Sequence, residues 1–63
     1  MVNTKLKTLL MEREISQMKL SHAIQVDPAQ ISKIIRGWEK PTDEIKMAIS
    51  NYLGVDEKVL FSN

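Results

Sequence analysis

A chain of 63 residues with no cysteine and a single histidine is sized for one domain, has no means of forming disulfides or thiolate metal sites, and argues against a zinc site. Its formal net charge of +1 falls short of the strongly basic balance common in nucleic-acid modules, so bulk charge decides little. No apolar run is long enough to span a bilayer and the opening MVNTKLK lacks the apolar core of a signal peptide, so the expected location is cytoplasmic.

Asn3 or Thr4 can cap a first helix running to about Arg13, with Leu6, Leu9, Leu10 and Arg13 on its inner face and Lys5 and Lys7 turned to solvent. Arg13 is placed where its long stem can lie across the core edge. Ser16 then caps a second helix, and Ile15 before the cap with Leu20 after it forms a hydrophobic staple. On this helix Ser21 is small enough for a close helix approach, and its hydroxyl is expected to bond back to the carbonyl of Gln17. His22 is expected on the exposed side without a task.

The third helix starts with the same device. Asp27 is the cap, Pro28 occupies the first helical position, Gln30 completes a D-x-x-Q capping box, and Val26 staples to Ile31. Gly37 ends it, because glycine enters the left-handed conformation at little cost. Two helix starts this close together force a sharp reversal near Gln25, which would carry strain of order 1 kcal/mol if it adopts positive φ. Ile31, Ile34 and Ile35 fall on one face, leaving Pro28, Ala29, Ser32, Lys33 and Arg36 on the other.

Trp38 to Pro41 is a short loop in which Trp38 is expected to pack beside the helix end and cover the stem of Lys33, with a subunit contact as the alternative. Thr42 caps a fourth helix with Asp43 and Glu44 at the positive end of its dipole and Ile45, Ala48, Ile49, Tyr52 and Leu53 on its inner side. Gly54 closes it. A short last helix follows from the cap Asp56, Val55 staples to Leu60, and Phe61 can fold back as a lid. The four methionines are expected to fill irregular gaps in the core. The reading is all-α: a compact bundle of about five short helices, one domain over 1–63 with its central motif at about 16–36.

That ordered set of residues resembles the helix-turn-helix domains of phage repressor and Cro type, the XRE family. The matching features are Ile15-Ser16-Gln17, Leu20, Ile24, Val26, Ile31-Ser32, and Gly37 followed by Lys40-Pro41; the leading leucines and Tyr52-Leu53-Gly54-Val55 extend the likeness over nearly the whole chain. Ser21 and Gln25 depart from the pattern, which usually has Ala and Gly there. The resemblance implies a λ-repressor-like fold and a sequence-specific regulator, repressor or Cro-like switch, that reads double-stranded DNA with residues 28–36 in the major groove.

Within that frame each polar residue of the motif has an expected role. Gln17, at the first position of its helix, can hold a phosphate with its amide and the free backbone N–H groups. Pro28 acts through shape, Ala29 can touch a thymine methyl, Ser32 can bond a base or a phosphate, and Lys33 can reach O6 and N7 of guanine. Arg36 and Lys40 are expected phosphate partners. Gln30 is read mainly as a capping residue, with its amide free to take part in contact.

Charge distribution supports the same face. Residues 1 to 40 hold seven cations against four carboxylates, and residues 41 to 63 hold two against four, so the molecule should be electrically lopsided. One unit reads few base pairs, so a homodimer on a palindromic operator is expected; the residues themselves leave the pairing surface open, and the resemblance implies the loop around Trp38 or the C-terminal helix with Phe61. No cofactor, metal, membrane or small-molecule substrate is expected. The alternative is an antitoxin-like or adaptor module that engages protein, which an apolar outer face would favour. Enzymatic function is not expected, since there is no P-loop and no histidine with a plausible partner.

Overall fold

Each helix of this protein begins at a side chain that accepts a backbone N–H of the first turn, which is why the boundaries fall where they do. In the computed structural model, which describes residues 1–61, the helices are α1 (Thr4–Glu12), α2 (Gln17–Ile24), α3 (Pro28–Arg36), α4 (Asp43–Leu53) and α5 (Glu57–Phe61). The caps are Asn3 to Leu6 N at 3.0 Å, Ser16 to Lys19 N at 3.0 Å, Asp27 to Ala29 N at 2.8 Å, Thr42 to Ile45 N at 3.2 Å and Asp56 to Lys58 N at 2.8 Å. No strand occurs among the described residues.

The four joints all turn through the left-handed region. Gly37 (φ +79°) and Gly54 (φ +69°) do so without a Cβ penalty, whereas Gln25 (φ +56°) and Glu14 (φ +57°) do so as ordinary L residues. Gln25 thus adopts the positive φ on which its strain is conditional. Glu14 does the same with no sequence signal to mark it.

Leu6, Leu10, Leu20, Ile31, Ile35, Ile49, Leu53 and Leu60 form the buried cluster, with the staple residues Ile15, Val26 and Val55 and the lid residue Phe61 packed at its margin. Around it α2 packs on α3 and α4, while α1 packs on α3 and α5. Asn3 gathers three ends together: besides capping α1, its backbone N–H donates to Ile35 O at 2.7 Å and its Nδ2 donates to Leu60 O at 2.8 Å. Arg13 crosses from α1 and its guanidinium donates to Leu53 O, meeting a carbonyl at the end of α4.

Several side chains differ from expectation. Ser21 is fully buried, but its hydroxyl donates to Met18 O at 2.7 Å rather than to Gln17. The four methionines are not core filler. Met1, Met11, Met18 and Met47 all stand more than half exposed, because the leucines and isoleucines already occupy the interior of so small a bundle. Tyr52, placed on the inner side of α4 by periodicity, is 40% exposed; it lies at the edge of the apolar stripe, where a phenol can keep its hydroxyl wet.

Candidate nucleic-acid interface

Helix α3 is held from behind. Ile31, Ile34 and Ile35 are buried, and their burial fixes the rotation of the helix about its axis, so that Ala29, Lys33 and Arg36 are exposed and Pro28 and Ser32 half-buried on the opposite side. The face is therefore open to a partner over its whole length of nine residues. An α-helix with its side chains is about 10–12 Å across, and a major groove about 12 Å wide admits it.

The tip of α3 offers no spare backbone donor. Pro28 has no N–H, Ala29 N is taken by the Asp27 carboxylate, and the amides of Gln30 and Ile31 donate to Asp27 O at 2.9 and 3.1 Å. Whatever α3 touches it must touch with side chains. Helix α2 differs. The Ser16 side chain receives Lys19 N and its carbonyl receives Leu20 N, which leaves the amides of Gln17 and Met18 without a partner among the described residues. Gln17 is exposed at that end, so its side-chain amide and two unpaired backbone N–H groups lie together at the start of α2, an arrangement able to hold an anionic oxygen.

Gln30 departs from its expected role. No bond returns from it to the Asp27 N–H; its Nε2 donates to Glu39 Oε2 at 2.8 Å, across the loop that follows α3. Because only the NH₂ end of an amide can face a carboxylate, the orientation of Gln30 is set, and its Oε1 is left as the acceptor. Trp38 also differs from expectation. It is 72% exposed and does not cover Lys33; the guanidinium of Arg36 lies 5.1 Å from its ring centroid, within cation–π range. The loop is pinned by its backbone instead, with the N–H groups of Trp38 and Glu39 donating to Lys33 O at 2.9 and 3.3 Å. Lys33 and Lys40 are exposed.

The structure thus brings Pro28, Ala29, Ser32, Lys33 and Arg36 onto one face, sets Gln17 on the adjoining helix start and Lys40 in the loop beyond, and turns Gln30 aside toward Glu39. Glu39 and Trp38 are the members the sequence did not single out for these contacts. The one signal was their closeness to the motif, and contact across the loop depends on a path no local pattern encodes. No helix among the described residues is long and apolar enough to cross a membrane.

Comparison with known proteins adds one finding. A family model described as Helix-turn-helix matches residues 6–60. No curated protein matches the chain.

Proposed function

The chain belongs to the DNA-binding helix-turn-helix family of repressor and Cro type, and on that premise we propose that it is a sequence-specific transcriptional regulator that binds a palindromic operator as a homodimer. The observation that carries this reading is the open outer face of α3, which bears Lys33 and Arg36 toward its C-terminal end and is braced by three buried isoleucines. Residues 1–63 act as one binding domain, and the role is that of a repressor or Cro-like switch governed by its own concentration.

The contacts follow from the face. Gln17 holds a phosphate at the start of α2, Ala29 meets a thymine methyl, Ser32 bonds a base or a phosphate, and Lys33 reads guanine O6 and N7. Arg36, steadied over Trp38, and Lys40 hold phosphates on the far side of the groove. Pro28 sets the shape of the tip without donating. Gln30, fixed by Glu39, offers an acceptor suited to adenine N6 or cytosine N4.

Selection of bound duplexes from a random pool tests the proposal. The expected result is an enriched palindrome whose half-sites are centred about one helical turn, roughly 34–36 Å, apart. Failure to enrich any sequence would overturn the reading and favour a module that engages protein through the same fold.

A further inference from the structure

Helices α1 and α5 leave an apolar groove between them on a flank that the α3 face does not use. Its volume is about 340 Å³, its floor is Leu9, Val55, Val59 and Leu60, and Thr4, Lys5, Thr8 and Glu12 of α1 line its other wall. Val59 is 52% exposed there. Lys5 and Glu12 are both exposed, and neither pairs with an opposite charge among the described residues.

The charges are placed with a symmetry of their own. Lys5 and Glu12 are seven residues apart, so they share one face of α1 two turns, about 10 Å, from each other. Their midpoint falls between Thr8 and Leu9. If a second α1 is laid antiparallel across the first about a two-fold axis at that midpoint, Lys5 of each copy meets Glu12 of the other. Thr8, short and central, lets the two helices approach, and Val59 on the α5 wall of each copy is covered. A foreign helix would need to match both charges by coincidence, whereas a second copy matches them by construction, since an isologous interface pairs residue i with j and j with i.

We infer that the α1–α5 groove is the surface through which two copies of this chain pair. The inference deepens the homodimer reading above by naming its surface, and the pairing is measured without DNA. Two solvent-exposed ion pairs and a small apolar patch make a weak dimer, well short of the roughly 1,600 Å² of a standard interface. The family resemblance implies the Trp38 loop or the C-terminal helix with Phe61; the groove keeps α5 and replaces the loop by α1.

Charge reversal reads the pairing directly. Sedimentation equilibrium on the full chain, up to about 1 mM, is run for the native protein, Lys5→Glu, Glu12→Lys, the double reversal, and an equimolar mixture of the two single variants. Circular dichroism on each confirms that these exposed substitutions leave the fold in place. Each single variant is expected to weaken the dimer by about tenfold, since two attractive pairs become repulsive. The double variant recovers the native constant. So does the mixture, because the Lys5→Glu copy presents a carboxylate at both positions and the Glu12→Lys copy an ammonium at both.

A native protein that stays monomeric throughout, single variants that pair as the native does, or a mixture that fails to recover would each overturn the inference. The outcomes separate from those of the duplex selection. An enriched palindrome with inert charge reversals sinks the groove and leaves the regulator standing; charge-controlled pairing without an enriched palindrome does the reverse.

Discussion

Glu14 and Gln25 sit at φ +57° and +56°, where an L side chain crowds its own carbonyl at a cost of about 1–2 kcal/mol. Glycine removes the crowding but adds unfolded-state entropy worth about 0.4–1 kcal/mol. Gln25→Gly and Glu14→Gly are each expected to stabilise by about 0.5–1 kcal/mol, raising Tm by roughly 2–8 °C in a domain this small. A thermal melt that is unchanged or lower would show that the exposed side chain supplies a compensating contact. Lys33 belongs to the same scale. If it reads a guanine, Lys33→Ala relaxes preference at one base position and costs about 1–3 kcal/mol there; binding measured against single-base operator variants would instead show a uniform loss if the lysine only attracts phosphate.

At the scale of elements, the helix starts are the most local features and the ones most plainly written in the chain. Ser16, Asp27, Thr42 and Asp56 cap as their spacing implies because a cap needs only the next two or three residues. Asn3 does more, tying α1 to the ends of α3 and α5. Asn3→Ser keeps an N-cap acceptor and loses the donor to Leu60, so it should cost about 1 kcal/mol, while Asn3→Ala should cost about 2 kcal/mol by losing both. Equal melting temperatures for the two variants would mean that the cap acceptor adds nothing, and an Asn3→Ser melt equal to the native one would say the same of the bond to Leu60. Gly37 is constrained twice, by its φ of +79° and because a Cβ there would collide with the backbone of Met1.

For the whole molecule, a core of this size supplies only about 3–5 kcal/mol, and its cations concentrate in the first forty residues. Arg36, Lys40 and the α2 start of each copy would release counterions on binding, about four per dimer from the cations alone. Log affinity for the operator is therefore expected to fall with log salt at a slope of about −4. Titration between about 50 and 200 mM salt measures it, and a slope near zero would remove the phosphate contacts from the proposal.

Most of what acts over a single turn or a single periodic stripe was already legible in the order of the amino acids: the five helices, their caps, and the three isoleucines that aim the outer face of α3, though not the left-handed turn at Glu14 or the carbonyl that Ser21 reaches. The assembled bundle was needed to settle which polar atoms meet across loops and which apolar residues lose the competition for the interior. Gln30 reaches Glu39 rather than its own helix start, Arg36 lies over an exposed Trp38, and four methionines remain outside. The reason is physical. A cap or a stripe is fixed by neighbours a few bonds away, but a contact across a loop depends on the path of that loop, and a place in the core depends on how much volume the other helices have already filled.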